Sequence, residues 1–131
     1  DEVIRETARI LIRAIQQFGN PDDFIGHIGG DDFVVVTTPK TVDNVCNKII
    51  NDFERIAPSF YNETDRKKGY IVALDRKGKE QKVPLLSISI GIVTNESRNI
   101  EHVAQIGEIG AELKAYAKSL ERSNYIKDKR A

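Results

Sequence analysis

Val3, Ile4, Ala8, Leu11, Ile15 and Phe18 fall at helical spacing, while Arg5, Arg9 and Arg13 step along another face. This pattern predicts an amphipathic helix over 3–18. Gly19-Asn20-Pro21 is read as its stop, because Gly and Asn accept a left-handed cap and Pro cannot continue the ladder. Two short apolar runs follow, Phe24-Ile25 and Val34-Val35-Val36-Thr37, on either side of Gly29-Gly30. They predict a β-hairpin over 24–37 whose turn needs glycine backbone angles. Val42, Val45, Ile49, Phe53 and Ile56 form the stripe of a second helix over 41–56, with Thr41 as its N-cap and Pro58 marking its end.

From Ser59 to Lys82 the composition turns polar and charged. Residues 69–74 and 80–86 still have strand character around Asp75-Arg76-Lys77-Gly78, which predicts a second hairpin. Leu86 to Val93 alternates apolar and small residues, as a half-buried strand does. Val103, Ile106, Ile109, Leu113, Tyr116 and Leu120 predict a last helix over about 100–120. No repeat, low-complexity segment or linker interrupts the chain, so residues 1–131 are expected to form one domain.

Composition narrows the class. Lys plus Arg and Asp plus Glu both number 20, for a formal net charge of zero. That balance argues against a nucleic-acid or membrane surface. No apolar run approaches the ~20 residues of a membrane helix, and no signal-peptide pattern opens the chain. The one cysteine, Cys46, sits in a helical pattern and reads as a buried thiol, in keeping with a reducing cytoplasm. The chain has no methionine and is read as a piece of a longer polypeptide.

The candidate chemistry lies in His27-Ile28-Gly29-Gly30-Asp31-Asp32-Phe33. Neighbouring strand residues point to opposite faces, so Asp31 and Asp32 are expected to differ in role. Carboxylates beside a glycine turn suit a divalent ion that takes its other ligands from water and phosphate. A solvated turn uses the same residue types.

The hairpin resembles the active-site hairpin of the GGDEF family, the diguanylate cyclases, with Asp32 in place of the motif's glutamate. The resemblance extends in order through the helix at 3–18, the hairpin, the helix at 41–56, Ser87-Ile88-Ser89-Ile90-Gly91-Ile92, and Ala117-Lys118. It implies an α+β fold, an antiparallel sheet flanked by helices of the ferredoxin-like or polymerase-palm kind. The family opens with a strand carrying a further metal-binding aspartate and then an asparagine that contacts guanine. This chain starts after both, so the fold is expected to be N-terminally truncated and these residues inactive. Residues 59–85 exceed the family's usual connection and read as a hairpin-like insertion.

By the same resemblance, Asp31 is the metal-binding carboxylate and Asp32 the residue needed for turnover. Its carboxylate is withdrawn by ~1.5 Å relative to glutamate, a displacement that can cost ~100-fold in rate. Gly29 and Gly30 match glycines that let the backbone approach the nucleotide. Asp1 matches an aspartate that hydrogen-bonds guanine, or is a charge at a helix N-terminus. Lys118 and Arg122 match phosphate-binding residues, with Glu121 in place of the glycine before that arginine; Lys118 also reads as a cation complementing the helix dipole. Asp23 belongs to the family's product-inhibition site, which is incomplete because Asn20 replaces arginine and its bidentate fork. His27 stands where arginine is usual and reads as a packing residue, and His102 reads as surface helix.

The expected function is thus a divergent bacterial GGDEF signalling domain that joins two GTP into cyclic di-GMP, a nucleotidyl transfer assisted by Mg²⁺ or Mn²⁺. Its partners would be GTP, a second GGDEF domain in a transient homodimer, and an upstream sensor or receiver domain, all in the cytoplasm. The alternative is a degenerate module that binds GTP or a protein without turnover.

Overall fold

A computed structural model describes residues 1–130. Helix α1 (Glu2–Phe18) opens on Asp1, whose carboxylate accepts from the Val3 and Ile4 N–H groups and so satisfies donors that a helix start leaves free. Its buried residues are Thr7, Ile10, Leu11 and Ala14. The helix ends at Gly19, as expected, but for a different reason. Gly19 is extended (φ −85°, ψ −163°) rather than left-handed. A Cβ there would lie 2.5 Å from Asp23 Oδ2 and 2.8 Å from the Ile15 carbonyl, so close approach demands the glycine.

Strands β1 (Phe24–Gly29) and β2 (Asp32–Val36) form the predicted antiparallel hairpin, with a bulge between His27 and Gly29. Ile25, Phe33 and Val35 turn towards a core built by α1 and α2 (Val42–Ile56), where Ile10, Leu11, Ala14, Val45, Ile49 and Phe53 interlock. Thr41 stands at the N-cap of α2, but its hydroxyl bonds Thr37 and Thr38 instead of the helix.

A 3-10 turn (Ala57–Phe60) and a short helix α3 (Glu63–Lys68) were not legible in the polar stretch after α2. Asn62 caps α3 by accepting from the Asp65 N–H, and Gly69 ends it at φ +79°. The second predicted hairpin follows as β3 (Tyr70–Leu74) and β4 (Glu80–Pro84), antiparallel. The Asp75 carboxylate gathers the N–H groups of Lys77 and Lys79 in its turn.

Strand β5 (Ser89–Ile92), helix α4 (Val103–Ser119) and strand β6 (Asn124–Lys127) complete the chain. His102 starts α4: its Nδ1 accepts from the Ala104 N–H, while the Gln105 side chain accepts from the His102 N–H. The loop before α4 is tied to the end of β6. Buried Asp128 accepts from Arg130 Nε at 2.9 Å and faces Arg98 Nε at 3.4 Å.

The architecture is α+β, but the single antiparallel sheet expected from the sequence is replaced, among the described residues, by three two-stranded sheets. β1 pairs with β2 and β3 with β4, both antiparallel, while β5 pairs with β6 in parallel through the α4 crossover. Neither β2 nor β5 has a second paired strand among the described residues. No helix among the described residues is long and apolar enough to cross a membrane.

Glu121, just after α4, has φ +54°, the left-handed region in which a side chain costs about 1–2 kcal/mol. Glu121→Gly is therefore expected to raise the unfolding free energy by about 0.5–1 kcal/mol, after allowance for the looser unfolded chain. Urea unfolding followed by circular dichroism checks it.

Candidate functional site

The hairpin turn rests on two glycines at positive φ, Gly29 (+151°) and Gly30 (+55°). A Cβ on either would meet nothing within 4 Å, so the requirement is conformational and the space around the turn is open. His27 steadies the turn from β1. Its ring stacks on Phe33 with centroids 4.6 Å apart, and Nε2–H donates to the Gly30 carbonyl at 2.8 Å.

Beyond the turn, Asp31 and Asp32 line a cavity of about 1300 Å³. Lys114 and Lys118, from α4, line it too. Asp31, Asp32 and Lys118, all singled out in the sequence, thus line the same cavity. Lys114 was missed. Its Nζ donates to Asp32 Oδ1 at 3.1 Å, both side chains being partly exposed (38% and 48%). The signal was present, since Lys114 precedes Lys118 by one helical turn and shares its face. Asp31 and Lys118 make no ion pair among the described residues and are free to meet a ligand.

The other predicted site residues are placed elsewhere. Asp1 is engaged as the N-cap of α1. Arg122 is exposed and does not line the cavity. Asp23 is a structural acceptor, bonded by the Asn20 N–H and side-chain amide and by the Thr37 hydroxyl at 2.6 Å, so Asn20 and Asp23 together brace the connection between α1 and β1.

Burial tends to push the Asp23 carboxyl up, but the bonds from Thr37 and Asn20 outweigh it and hold the group below its ordinary 3.8. A depressed folded-state pKa contributes stability above the unfolded value, and that contribution is lost as pH falls through the folded value. Thr37→Val is expected to move the Asp23 titration upwards and to lower stability at pH 7 more than at pH 2. Carboxyl NMR titration and urea unfolding at the two pH values check both.

A resident metal centre would need several hard ligands, and no cluster of three or more His, Cys, Asp or Glu occurs among the described residues. Asp32 is already neutralised by Lys114. Beside the turn, Asp31 could offer an ion a single carboxylate, the remaining ligands having to come from elsewhere. Cys46, which also lines the cavity, is no nucleophile: burial, with Asp43 nearby, pushes its thiol up to about 12.

The cavity lining is thus mixed in sign, with Asp31 and Lys118 both outside any ion pair among the described residues. Set beside known proteins, the chain matches no family model, no curated protein and no solved structure.

Proposed function

We propose that this chain is a divergent GGDEF domain of the diguanylate cyclase type, related in arrangement to ferredoxin-like and polymerase-palm folds, whose hairpin end takes up GTP with Mg²⁺ or Mn²⁺. The observation that carries the reading is that Asp31, Lys114 and Lys118, from sequence-distant elements, line one cavity, with Lys114 bonded to Asp32 beside Asp31. In this reading Asp31 holds the ion that accompanies the triphosphate. The two lysines, compact charges on flexible stems, bind its phosphate oxygens. A bound ion would supply charge neutralisation and orientation of the α-phosphate.

Turnover is not expected of residues 1–131. Asp32, the residue in the position of the family's catalytic glutamate, is short and occupied by Lys114. Joining two GTP also needs a second domain to bring the attacking 3'-hydroxyl, so a transient homodimer and an upstream regulatory domain belong to the full reading. The Asp32 to Lys114 contact favours a second reading, a module that binds GTP for regulation and never forms cyclic di-GMP.

Titration with a fluorescent GTP analogue, with and without Mg²⁺, tests the site. Magnesium-dependent binding is expected, and Asp31→Ala is expected to weaken it about tenfold, or ~1.4 kcal/mol. Absence of binding at millimolar nucleotide overturns the proposal. Chromatography of the reaction mixture separates the two readings when the chain is joined to its upstream sequence: cyclic di-GMP that disappears in Asp31→Ala supports the cyclase, and bound GTP without product supports the module.

A further inference from the structure

The β3–β4 ribbon pairs with no further strand among the described residues. Its base is nonetheless held. Arg66 donates to the Pro58 and Tyr61 carbonyls, and the Tyr61 hydroxyl accepts from the Leu86 N–H. At the turn, the Asp75 N–H donates to the Lys79 carbonyl at 2.9 Å, which makes these two residues a hydrogen-bonded pair. Bonded and non-bonded pairs alternate along an antiparallel ladder. Ala73 with Gln81 and Ile71 with Val83 are therefore bonded pairs, whereas Leu74 with Glu80, Val72 with Lys82 and Tyr70 with Pro84 are not. The N–H and C=O groups of Tyr70, Val72 and Leu74 consequently point away from β4.

The two outer edges differ in kind. That of β4 ends in Pro84, which has no N–H to offer, and carries the charges of Glu80 and Lys82. Proline and charge are the usual means of blunting an edge against strand pairing. β3 reads Tyr-Ile-Val-Ala-Leu, with neither. No hydrogen bond among the described residues occupies its three outward N–H groups. Such an edge is a template for an added strand, with main-chain bonds giving affinity and side chains giving specificity.

Tyr70, Val72 and Leu74 also share one face of the ribbon. Val72 is 49% and Leu74 70% exposed, while Ile71 and Ala73 on the opposite face are half-buried. Lys82 lies on the exposed face and leans across from β4, so that its ammonium stands 4.9 Å from the centre of the Tyr70 ring. Lys68, at the end of α3, stands 5.3 Å from the same ring and has Asp65 at 3.5 Å. Lys82 has no acidic partner among the described residues, and neither have Arg76, Lys77 and Lys79 around the turn. Of the two acids of the ribbon, Asp75 is spent on the N–H groups of Lys77 and Lys79 and on the Gln81 amide, which leaves Glu80 to offset four cations. Positive charge thus sits at both ends of an apolar strand. A nucleic acid would bring phosphates to the apolar middle as well, so the pattern fits a polypeptide better.

We propose that the outer edge of β3 binds an extended segment of a partner protein, apolar at its centre and acidic at both ends, as a third strand of the ribbon. The segment pairs with the backbone of Tyr70, Val72 and Leu74, and its apolar side chains cover Val72 and Leu74. Its carboxylates meet Lys68 and Lys82 at one end and the cations of the turn at the other. This surface is separate from the cavity, so GTP binding can fail while the proposal stands.

The test titrates the chain with a fluorescent octapeptide of two glutamates, four alternating valines and threonines, and two further glutamates. Saturable binding with a Kd below about 1 mM is expected, weakened at least about tenfold in Lys82→Glu and by raised salt. Amide exchange at Val72 and Leu74 is expected to slow at least about tenfold, with a smaller change at Ile71 and Ala73, whose amides are already paired. A peptide with lysines in place of the glutamates, and an acidic one N-methylated at its four central residues, are expected to do neither. No binding of the plain acidic peptide at about 1 mM overturns the proposal. Equal binding of the basic peptide overturns it by removing the charge match, and equal binding of the methylated peptide by removing the strand pairing. A concentration-dependent dimer with the Val72 and Leu74 amides protected in the absence of peptide overturns it in favour of a second copy of the chain.

Discussion

Phe53→Ala is expected to lower the unfolding free energy by about 3–5 kcal/mol, out of a total of about 5–15 kcal/mol for a domain of this size. Phe53 is 4% exposed and belongs to the cluster that joins α1 to α2. It also forms part of the cavity wall, so the space left by the ring would open into the existing void. Neighbours cannot collapse into a void that is already large, which places the loss at the upper end of the range. Urea unfolding at neutral pH measures it. A loss under ~1 kcal/mol would contradict a core centred between α1 and α2.

Gly91→Ala is expected to cost about 1–3 kcal/mol through overpacking. The added methyl would stand 2.9 Å from Leu113 Cβ, 3.1 Å from the Gly110 carbonyl oxygen and 3.3 Å from the Lys114 nitrogen. Two of these are helix backbone atoms and cannot rotate away, so α4 must move as a body from β5. Lys114 moves with it, and its contact with Asp32 is expected to weaken. Denaturant unfolding reports the energy, and the amide shift of Lys114 reports the displacement. A neutral substitution with unmoved shifts would show that α4 is not seated on this strand.

Periodic patterns made the long elements readable. The stripes of α1 and α2 and the β1–β2 hairpin emerged from spacing because each buries one face in the core. The β3–β4 hairpin, with β4 exposed throughout, was marked by its turn, and the α4 stripe is only partly buried, Val103, Ile106 and Tyr116 being exposed. Short elements escaped for physical reasons. α3 has no apolar stripe and is built from its ends, Asn62 and Gly69. β6 is four residues long, and its partner lies across the whole of α4, a pairing to which no local pattern is sensitive. The candidate site was legible where a motif fixes geometry, at Asp31, Asp32 and the two glycines. Asp1 takes the helix N-terminal role that the sequence also offered, and Asp23 braces a loop. Acceptors in such turns and in binding sites are the same residue types, and only the third dimension separates them.

The contact between Asp32 and Lys114 would couple any cation drawn to one group with any anion drawn to the other. Each group neutralises the other, so the first visitor must break the pair: a cation recruited by the carboxylate, or an anion recruited by the ammonium. The second visitor finds its partner already released. Linkage would make this reciprocal, each assisting the other's uptake by the same factor, whichever arrives first.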